Sequence, residues 1–457
     1  MKLSPETVEK LQANQANVRN ICILAHVDHG KTSLSDSLLA TNGIISQRMA
    51  GKVRFLDSRE DEQLRGITME SSAISLYFKI LRRKENAEEI ETNEYLINLI
   101  DSPGHIDFSS EVSSASRLCD GAVVLVDSVE GVSSQTINVL RQCWVDRIKP
   151  LLVINKIDRL VTEWRMTPLE AYQHMSKIIE QVNVVMASFF SGDRMQDDLN
   201  WREGGSLGDY VERSDLELYF APEKNNVIFA SAIDGWAFSV NTFAKIYLAK
   251  LGFSQSVLAK TLWGDFYLDM KNKKIIPGAK LKPLQALLKP LFVTLILDQI
   301  WSIYDACVIE RDDEKLEKIV SKLNAKISPR DMRSKDYKSL LNVIMSQWIP
   351  LSHSLLSAVI EYLPGPQKAQ QDRMDKILDE VLYSAITDPT IDKSTLIDPG
   401  FKDAMTNCKV SVPEDHTLAY VSKMISVPES ELPKEVTQEL SSAEVLERQR
   451  KVREKAR

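Results

Sequence analysis

The chain has few cysteines and lacks the features of a membrane-spanning or disulfide-stabilised protein. Its 457 residues include five cysteines, widely spaced and without a CxxC pair, so neither a zinc site nor a disulfide framework is indicated. No apolar run reaches the roughly 18 residues that span a bilayer, and residues 1–17 lack the apolar core of a signal peptide. We therefore expect a cytoplasmic protein with reduced, buried thiols and no membrane partner.

Basic residues are outnumbered by acidic ones. The chain has 57 Lys and Arg against 64 Asp and Glu, a formal net charge of -7. This balance argues against holding nucleic acid by bulk charge, although it leaves room for a local basic face. We expect no sequence-specific DNA partner. The 44% of hydrophobic residues is ordinary for a globular chain, and the length favours about three domains.

Five short apolar runs predict buried strands. They are continuously apolar rather than alternating, as strands covered on both faces require. Amphipathic stretches at 31–39 and 135–145 predict helices between them. The predicted fold class is therefore α/β, with a mostly parallel sheet and helices on both faces, and ligands should bind where the strands end. The runs are 20–25, 95–101, 122–127, 151–155 and 227–230.

The first run ends in a phosphate-loop pattern, AHVDHGKT at residues 25–32, with Ala25 where a glycine usually stands. Such a loop wraps a diphosphate with backbone N–H groups at the start of a helix. Gly30 allows the backbone to approach, Lys31 would reach the β- and γ-phosphates, and the Thr32 hydroxyl would bind Mg²⁺. The residues predicted to bind the nucleotide here are Ala25, His26, Val27, Asp28, His29, Gly30, Lys31, Thr32 and Ser33.

Two further motifs would surround the γ-phosphate. The second run ends in DSPGH, where Asp101 would hold Mg²⁺ through water, the Gly104 N–H would contact the γ-phosphate, and His105 would orient a water for attack. The RGIT segment at 65–68 supplies Thr68, whose hydroxyl would complete the Mg²⁺ shell. Taken singly, the first motif is more simply an ordinary Pro-Gly turn and the second a plain loop.

Base recognition would come from the last two strands. The run at 151–155 leads into NKID, and a carboxylate at Asp158 that accepts two N–H bonds selects guanine, because adenine lacks that pair of donors. Asn155 would tie the loops together, and the Lys156 stem would lie over the base. Each short motif alone is also typical of a cap or turn. Backbone N–H groups predicted to bind the guanine O6 belong to Ser231, Ala232 and Ile233.

The order of the motifs favours a GTPase over the alternative that each motif is an ordinary turn, cap or loop. The phosphate loop, Thr68, DSPGH, NKID and SAI follow one another in the order found in GTPases, each at a strand end or in a connecting loop. The predicted reaction is hydrolysis of GTP by in-line attack of water, with positioning and electrostatics supplying the rate. Two segments between these motifs, 79–91 and 191–217, are predicted to be a charged loop or hairpin tip and an irregular region.

On these motifs the chain resembles translational GTPases of the translocation elongation-factor group, from residue 20 to its end. AHVDHGKT, RGIT, DSPGHIDFSSEV, NKID and SAIDGWAF all match that group. Within it, the chain is most similar to the eukaryotic elongation factor-like GTPases of large-subunit biogenesis, and in detail to fungal members. NGIIS at 42–46, DSREDEQ at 57–63, Thr32 in place of serine, and NKID rather than NKMD favour them over the translocase.

The resemblance implies a domain order and an N-terminal portion of a longer protein. Family members carry further domains after a β-barrel, whose first strand here would be 417–426. The implied parts are an N-terminal tail at 1–17, the GTPase domain at 18–234, an inserted, mainly helical subdomain at 235–346, a returning helix at 347–365, a linker at 366–412, and the beginning of the barrel at 413–457.

The resemblance also implies a mechanism and a setting. His105 would be the catalytic, water-orienting residue, held back by an apolar gate of Val27 and Ile67, and Asp28 would help to bind a monovalent cation. The implied setting is late cytoplasmic maturation of the large ribosomal subunit, where the Shwachman-Diamond syndrome protein assists release of the anti-association factor. Alternatives are a translocation elongation factor of protein synthesis and a GTP-dependent binding switch with incidental hydrolysis.

Overall fold

Seven strands form one central sheet. They are β1 (Val18–Ala25), β2 (Ser72–Arg83), β3 (Ile90–Asp101), β4 (Gly121–Asp127), β5 (Lys149–Asn155), β6 (Val227–Ser231) and β7 (Trp236–Phe238). The spatial order is β2-β3-β1-β4-β5-β6-β7. The inner pairs are parallel, whereas β2 and β7 at the two edges are antiparallel to their neighbours. The five predicted strands and the mostly parallel α/β sheet are confirmed.

The computed structural model describes most of the first 385 residues. The chain divides into two units, residues 1–415 and 416–457, and the central sheet lies entirely in the first unit. The described residues are 5–46, 49–51, 53–57, 59–83, 90–203, 214–215, 217–269, 274–280, 288–332 and 336–385, with 421, 424, 427 and 428.

Fifteen α-helices are assigned within these ranges. They are α1 (Pro5–Gln12), α2 (Lys31–Thr41), α3 (Glu60–Arg65), α4 (Ser109–Arg117), α5 (Ser134–Val145), α6 (Ile157–Thr162), α7 (Pro168–Glu203), α8 (Val240–Leu251), α9 (Gln255–Thr261), α10 (Asp298–Tyr304), α11 (Asp313–Leu323), α12 (Pro329–Met332), α13 (Tyr337–Trp348), α14 (Leu351–Tyr362) and α15 (Pro366–Ala385).

Burial on both faces of the sheet explains the continuous apolar runs. In β1, Ile21 and Ile23 enter one hydrophobic cluster, whereas Cys22 and Leu24 enter the other, because successive side chains of a strand point to opposite faces. Residues of α2 and α14 cover the first cluster, and residues of α5 and α7 cover the second. Helices therefore lie on both faces, as predicted.

A mainly helical segment, which we call the helical insert, lies between β7 and α14 at residues 240–348. It contains α8 to α13 and a short antiparallel hairpin of β8 (Phe266–Asp269) and β9 (Lys274–Pro277). Two π-helical stretches, Val293–Leu297 and Asp305–Ile309, flank α10. The segment is mainly helical, as the sequence predicts, but the main sheet continues through β7, past the start predicted at residue 235.

Residues on either side of Pro364 form helices. The segment predicted to return to the GTPase domain contains α14, which contacts α2, β6 and β7. The first part of the predicted linker is the 20-residue α15, in which the buried Arg373 donates hydrogen bonds to the carbonyls of Cys119 and Arg117. Residues 386–412, and the predicted barrel strand apart from 421 and 424, lie outside the described residues.

Two predictions of irregular structure differ from the structure to different degrees. The segment 79–91, predicted to be a charged loop or hairpin tip, is paired strand of β2 and β3 at 79–83 and 90–91, with Arg83 opposite Ile90, and residues 84–89 lie outside the described residues. Residues 191–203 are helical, because α7 runs for 36 residues. The segment contains no proline to stop that helix, and its polar composition reflects solvent exposure. Residues 204–213 and 216 lie outside the described residues.

Four of the five cysteines and all the described helices bear on the predictions about disulfides and membrane spans. Cys22, Cys119, Cys143 and Cys307 are free and buried, as predicted, and Cys408 lies outside the described residues. Among the described helices, none has both the length and the apolar character needed to cross a membrane.

Candidate functional site

Four of the predicted motifs meet where the parallel strands end. β1, β3, β5 and β6 run in the same direction, so their carboxyl ends lie together at one end of the sheet. They lead, in turn, into the phosphate loop, DSPGH, NKID and SAI. The structure therefore brings together side chains that are separated by more than 200 positions in the sequence, at the place where parallel sheets bind ligands.

The phosphate loop is a tight turn between β1 and α2. Its backbone takes the left-handed conformation at Asp28, with φ 63°, and at Gly30, with φ 94°. A Cβ atom at Gly30 would overlap the side-chain amide of Asn155, so both the conformation and the space require glycine. The free N–H groups at the start of α2 lie directly after this turn, which is the arrangement that binds a phosphate.

Two histidines hold the phosphate loop against β4, α5 and the segment between them. The His29 ring is fully buried, and its Nδ1 lies 3.3 Å from the Leu125 carbonyl while its Nε2 lies 3.4 Å from the Glu130 carboxylate. Burial lowers the pKa of His29, which favours the neutral ring. His26 contacts His29 edge to face, with ring centroids 5.0 Å apart, and bonds to Gln135. The histidines thus anchor the loop to the β4–α5 connection.

Lys31 points into the site and is almost fully buried. Its Nζ donates to the Ser102 carbonyl and lies 3.6 Å from Asp101 Oδ1. Asp101 Oδ2 accepts a hydrogen bond of 3.3 Å from Ser35. Burial raises the pKa of Asp101, against the effect of Lys31. Within the described residues Asp101 Oδ1 has no hydrogen-bond partner, which leaves one carboxylate oxygen beside Lys31 available to a ligand.

Thr68 is buried beside an acidic residue that the motif analysis did not single out. Its hydroxyl donates a 2.8 Å hydrogen bond to Asp57 Oδ1, and Asp57 is itself fully buried and paired with Arg54 at 2.5 Å. The charge of Asp57 also raises the pKa of Asp101. The RGIT segment is therefore held by Asp57. Ile67, the predicted gate residue, is half-buried, as is Val27.

The DSPGH turn packs directly against the phosphate loop. A Cβ atom on Gly104 would lie 3.0 Å from the Ala25 carbonyl oxygen, so a larger residue would push the two loops apart. The His105 side chain is 37% exposed, and its Nδ1 lies 3.3 Å from the Asp107 carboxylate. His105 is thus accessible to water at the entrance of the site, and its role in orienting that water stays a prediction.

Asn155 joins the phosphate loop to the SAI loop. Its amide nitrogen donates to the His29 carbonyl at 2.9 Å, and its amide oxygen accepts from the Ala232 N–H at 3.0 Å. The side chain is fully buried. Both polar ends are satisfied, so this one residue sets the spacing of two predicted nucleotide-binding loops.

Asp158 lies at the start of α6, facing the SAI loop. Its Oδ1 accepts a 2.7 Å hydrogen bond from the Ser231 hydroxyl. Burial, followed by the nearby charge of Asp234, raises the pKa of Asp158 to about 6.

Lys156 has φ 61° and its Nζ lies 2.9 Å from Asp127. The remaining predicted residues, which are half-buried or exposed at the rim, are Thr32, Ser33 and Ile233.

Sequence motifs did not identify several residues that hold the site together. Asp57, Glu130 and Asp234 contact predicted residues but are not among the nucleotide-binding residues predicted from the sequence. Asp36 is another: its buried carboxylate accepts the N–H groups of Arg54 and Phe55, both at 3.1 Å. The sequence signal for this contact is the acidic residue at position 36 in the otherwise uncharged stretch 32–41.

A comparison with known families identifies this arrangement. The model of the elongation factor Tu GTP binding domain matches residues 16–365. The chain belongs to that family. Residues 16–365 form a P-loop GTPase domain, and the enzyme class predicted from the motifs is confirmed.

Curated relatives carry names from ribosome assembly. The chain is 57% identical over its full length to ribosome assembly protein 1 of Saccharomyces cerevisiae, and covers 40% of that protein. It is 51% identical over 97% of its length to the Schizosaccharomyces pombe protein of the same name, covering 42% of it. It is 45% identical over 98% of its length to human elongation factor-like GTPase 1, covering 39% of it. The chain thus spans about two fifths of these relatives.

Proposed function

We propose that this chain is the GTP-hydrolysing part of a factor that acts on the large ribosomal subunit during its late cytoplasmic maturation. The observation that carries the GTPase mechanism is the convergence of Lys31, Asp101, Asn155 and Asp158 at one edge of the sheet. The ribosomal setting is supported by the names of the relatives, which are ribosome assembly proteins and an elongation factor-like GTPase.

The residues around Lys31 fit a triphosphate with its Mg²⁺ ion. The buried Asp101 Oδ1, which accepts no hydrogen bond within the described residues, would hold Mg²⁺ through water, and the hydroxyls of Thr32 and Thr68 are hard oxygen donors, which Mg²⁺ prefers. Mg²⁺ supplies charge neutralisation between the β- and γ-phosphates when it is bound. Lys31 would exchange its bonds to Ser102 and Asp101 for bonds to phosphate oxygens. An additional monovalent cation would lie near Asp28, at the tip of the loop.

Guanine selection rests on the ionised carboxylate of Asp158. One of its oxygens is held by Ser231, which turns the carboxylate toward the base pocket. The N–H groups of Ser231, Ala232 and Ile233 would bind the O6 oxygen, and Asn155 sets their distance from the phosphate loop.

Hydrolysis depends on a water that His105 would orient for in-line attack on the γ-phosphate. The gate of Val27 and Ile67 would keep the His105 ring out of line until contact with the ribosome moves it. Gly104 would donate its N–H to the γ-phosphate. Hydrolysis, with the Shwachman-Diamond syndrome protein as a partner, would then promote release of the anti-association factor.

The test is a release assay on large subunits loaded with the anti-association factor. Subunits are incubated with the protein, the Shwachman-Diamond syndrome protein and GTP, and the factor left on the subunits is measured after sedimentation. We expect release with the wild-type protein and little release with His105→Ala, which should still bind GTP. Complete release by a His105→Ala protein that no longer hydrolyses GTP would reject hydrolysis as the driving step, in favour of a binding switch.

A further inference from the structure

A buried chain of hydrogen bonds runs from the guanine-binding carboxylate into the helical insert. The Ser231 hydroxyl donates to Asp158, and in turn accepts the Asp234 N–H at 3.3 Å. The Asp234 carboxylate accepts a 2.5 Å hydrogen bond from the Tyr304 hydroxyl, whose oxygen accepts the Trp236 indole N–H at 2.8 Å. These hydrogen bonds therefore connect Asp158 on α6 to the last residue of α10.

Most of the residues that form these hydrogen bonds are shielded from water. Asp234 is 2% exposed, Tyr304 is 1% exposed, and Trp236 is fully buried. A buried carboxylate needs its hydrogen bonds, because water cannot replace a lost partner. Asp234 Oδ1 has no hydrogen-bond partner among the described residues, so the Tyr304 hydroxyl is a principal support of the other oxygen.

The backbone around Asp234 cannot adjust easily if that support is lost. Asp234 lies in the tight turn between β6 and β7, followed by Gly235 with φ 72°. The turn is bound on its far side by the N–H of Leu351, which donates to the Gly235 carbonyl at 3.1 Å. The turn therefore fixes the Asp234 N–H beside the Ser231 hydroxyl, so this one residue contacts both Tyr304 and the hydroxyl that holds Asp158.

Tyr304 lies where the insert departs from regular helix. It ends α10, and π-helical turns precede and follow that helix at Val293–Leu297 and Asp305–Ile309. Such turns are frequent at functional positions because they place a side chain that an uninterrupted α-helix would not. Here α10 contacts α6, the helix that carries Asp158, so the insert and the base pocket share a packed boundary.

We propose that Tyr304 is a positioning residue for guanine selection: through Asp234 and Ser231, the helical insert holds the Asp158 carboxylate in the orientation that accepts both guanine N–H donors. The proposal rests on the proposed function, since it assumes that Asp158 binds the base. It assigns to the helical insert an effect on which nucleotide the site prefers, in addition to its packing against the rest of the domain.

The test compares two tyrosine-to-phenylalanine variants in the full chain. Tyr304→Phe removes the hydroxyl that bonds to Asp234. Tyr247→Phe is the matched control, because the Tyr247 hydroxyl also donates within the insert, to the Leu295 carbonyl at 2.7 Å, but among the described residues it is not part of the hydrogen bonds that lead to Asp158. Affinities for GDP and for IDP, which lacks the guanine 2-amino donor, are measured by titration calorimetry, and thermal melting checks that each variant is folded.

We expect Tyr304→Phe to reduce the GDP-to-IDP affinity ratio by about fivefold or more, in the range of energetic coupling between linked sites. IDP, with one donor, should lose less affinity than GDP, with two. Tyr247→Phe should keep the wild-type ratio. A Tyr304→Phe protein that melts as a folded domain and keeps the wild-type ratio would overturn the proposal.

Two further outcomes separate the proposal from the function on which it rests. If the wild-type chain does not bind GDP, the guanine-pocket assignment itself is wrong. If Tyr304→Phe does not fold, Asp234→Asn replaces it, because the amide oxygen can still accept the Tyr304 proton. That variant should keep a GDP-to-IDP ratio closer to wild type than Asp234→Ala, and equal ratios for the two variants would overturn the proposal.

Discussion

Guanine-nucleotide affinity should fall steeply as the pH drops through about 6. Only the ionised carboxylate of Asp158 accepts two N–H bonds from the base, and its pKa in the nucleotide-free protein is raised to about 6. Burial is the main cause and the charge of Asp234 adds to it, whereas Lys338 and the Ser231 hydroxyl act in the opposite direction. Asp234, Lys338 and Ser231 are thus the groups that act on the Asp158 carboxyl group, and Tyr304 acts on it through Asp234.

The size of the effect follows from the fraction of Asp158 that is ionised. With a pKa of about 6, roughly nine tenths is ionised at about pH 7 and roughly one tenth at about pH 5. Because protonation must be reversed before guanine binds, GDP affinity should fall about tenfold over that range, or ~1.4 kcal/mol. The direction is fixed by the raised pKa: binding is strong above it and weakens below it.

The assay is fluorescence titration of GDP across this pH range, with two variants to identify the titrating group. Asp234→Asn removes the neighbouring negative charge, so the midpoint should move to lower pH. Asp120→Asn is the matched control, because burial also raises the pKa of Asp120 to about 6, but its carboxylate bonds to Asn20 at the other end of the sheet. Histidines also titrate in this range, so an unchanged midpoint in Asp234→Asn would refute the assignment to Asp158.

Four other substitutions test the packing by urea denaturation. Asn155→Ala leaves two buried backbone groups without partners and should lower the free energy of unfolding by about 2–5 kcal/mol; a loss below ~1 kcal/mol would contradict the bridging role. Arg373→Met frees the two carbonyls that dock α15, and we expect a loss of about 2–4 kcal/mol, whereas no loss would mean that α15 is not held there. Gly121→Ala places a Cβ 2.8 Å from a leucine side chain and should destabilise by about 1–3 kcal/mol. Gly192→Ala, in the open on α7, should instead stabilise by about 0.5–1 kcal/mol, and equal signs for the two would contradict the packing.

The strands and the nucleotide loops could be predicted because their causes are local in the sequence. A strand buried on both faces must be apolar at every position, as β4 is along most of its length, and a phosphate loop needs Gly30 and Lys31 at fixed offsets. The order of the motifs then identified the GTPase before any contact was known.

The contacts that orient the site could not be predicted, because they join distant parts of the chain. Tyr304 and Asp234 are separated by 70 positions, and no pattern marks either as part of a guanine pocket. Asp57 was noted only as part of a family resemblance, although its carboxylate holds Thr68. The length of α7 is hard to predict for another reason: the polar composition of residues 191–203 is typical of irregular structure and equally of a long exposed helix.

Nucleotide hydrolysis by the wild-type chain, Asp158→Asn and His105→Ala, each with GTP and with XTP, tests directly whether Asp158 selects guanine and His105 promotes hydrolysis. We expect the wild-type protein to hydrolyse GTP in preference to XTP. Asp158→Asn should reverse this preference, and His105→Ala should bind GTP but hydrolyse it slowly. Undiminished GTP hydrolysis by Asp158→Asn, with no gain for XTP, would contradict the assignment of Asp158 to the guanine site.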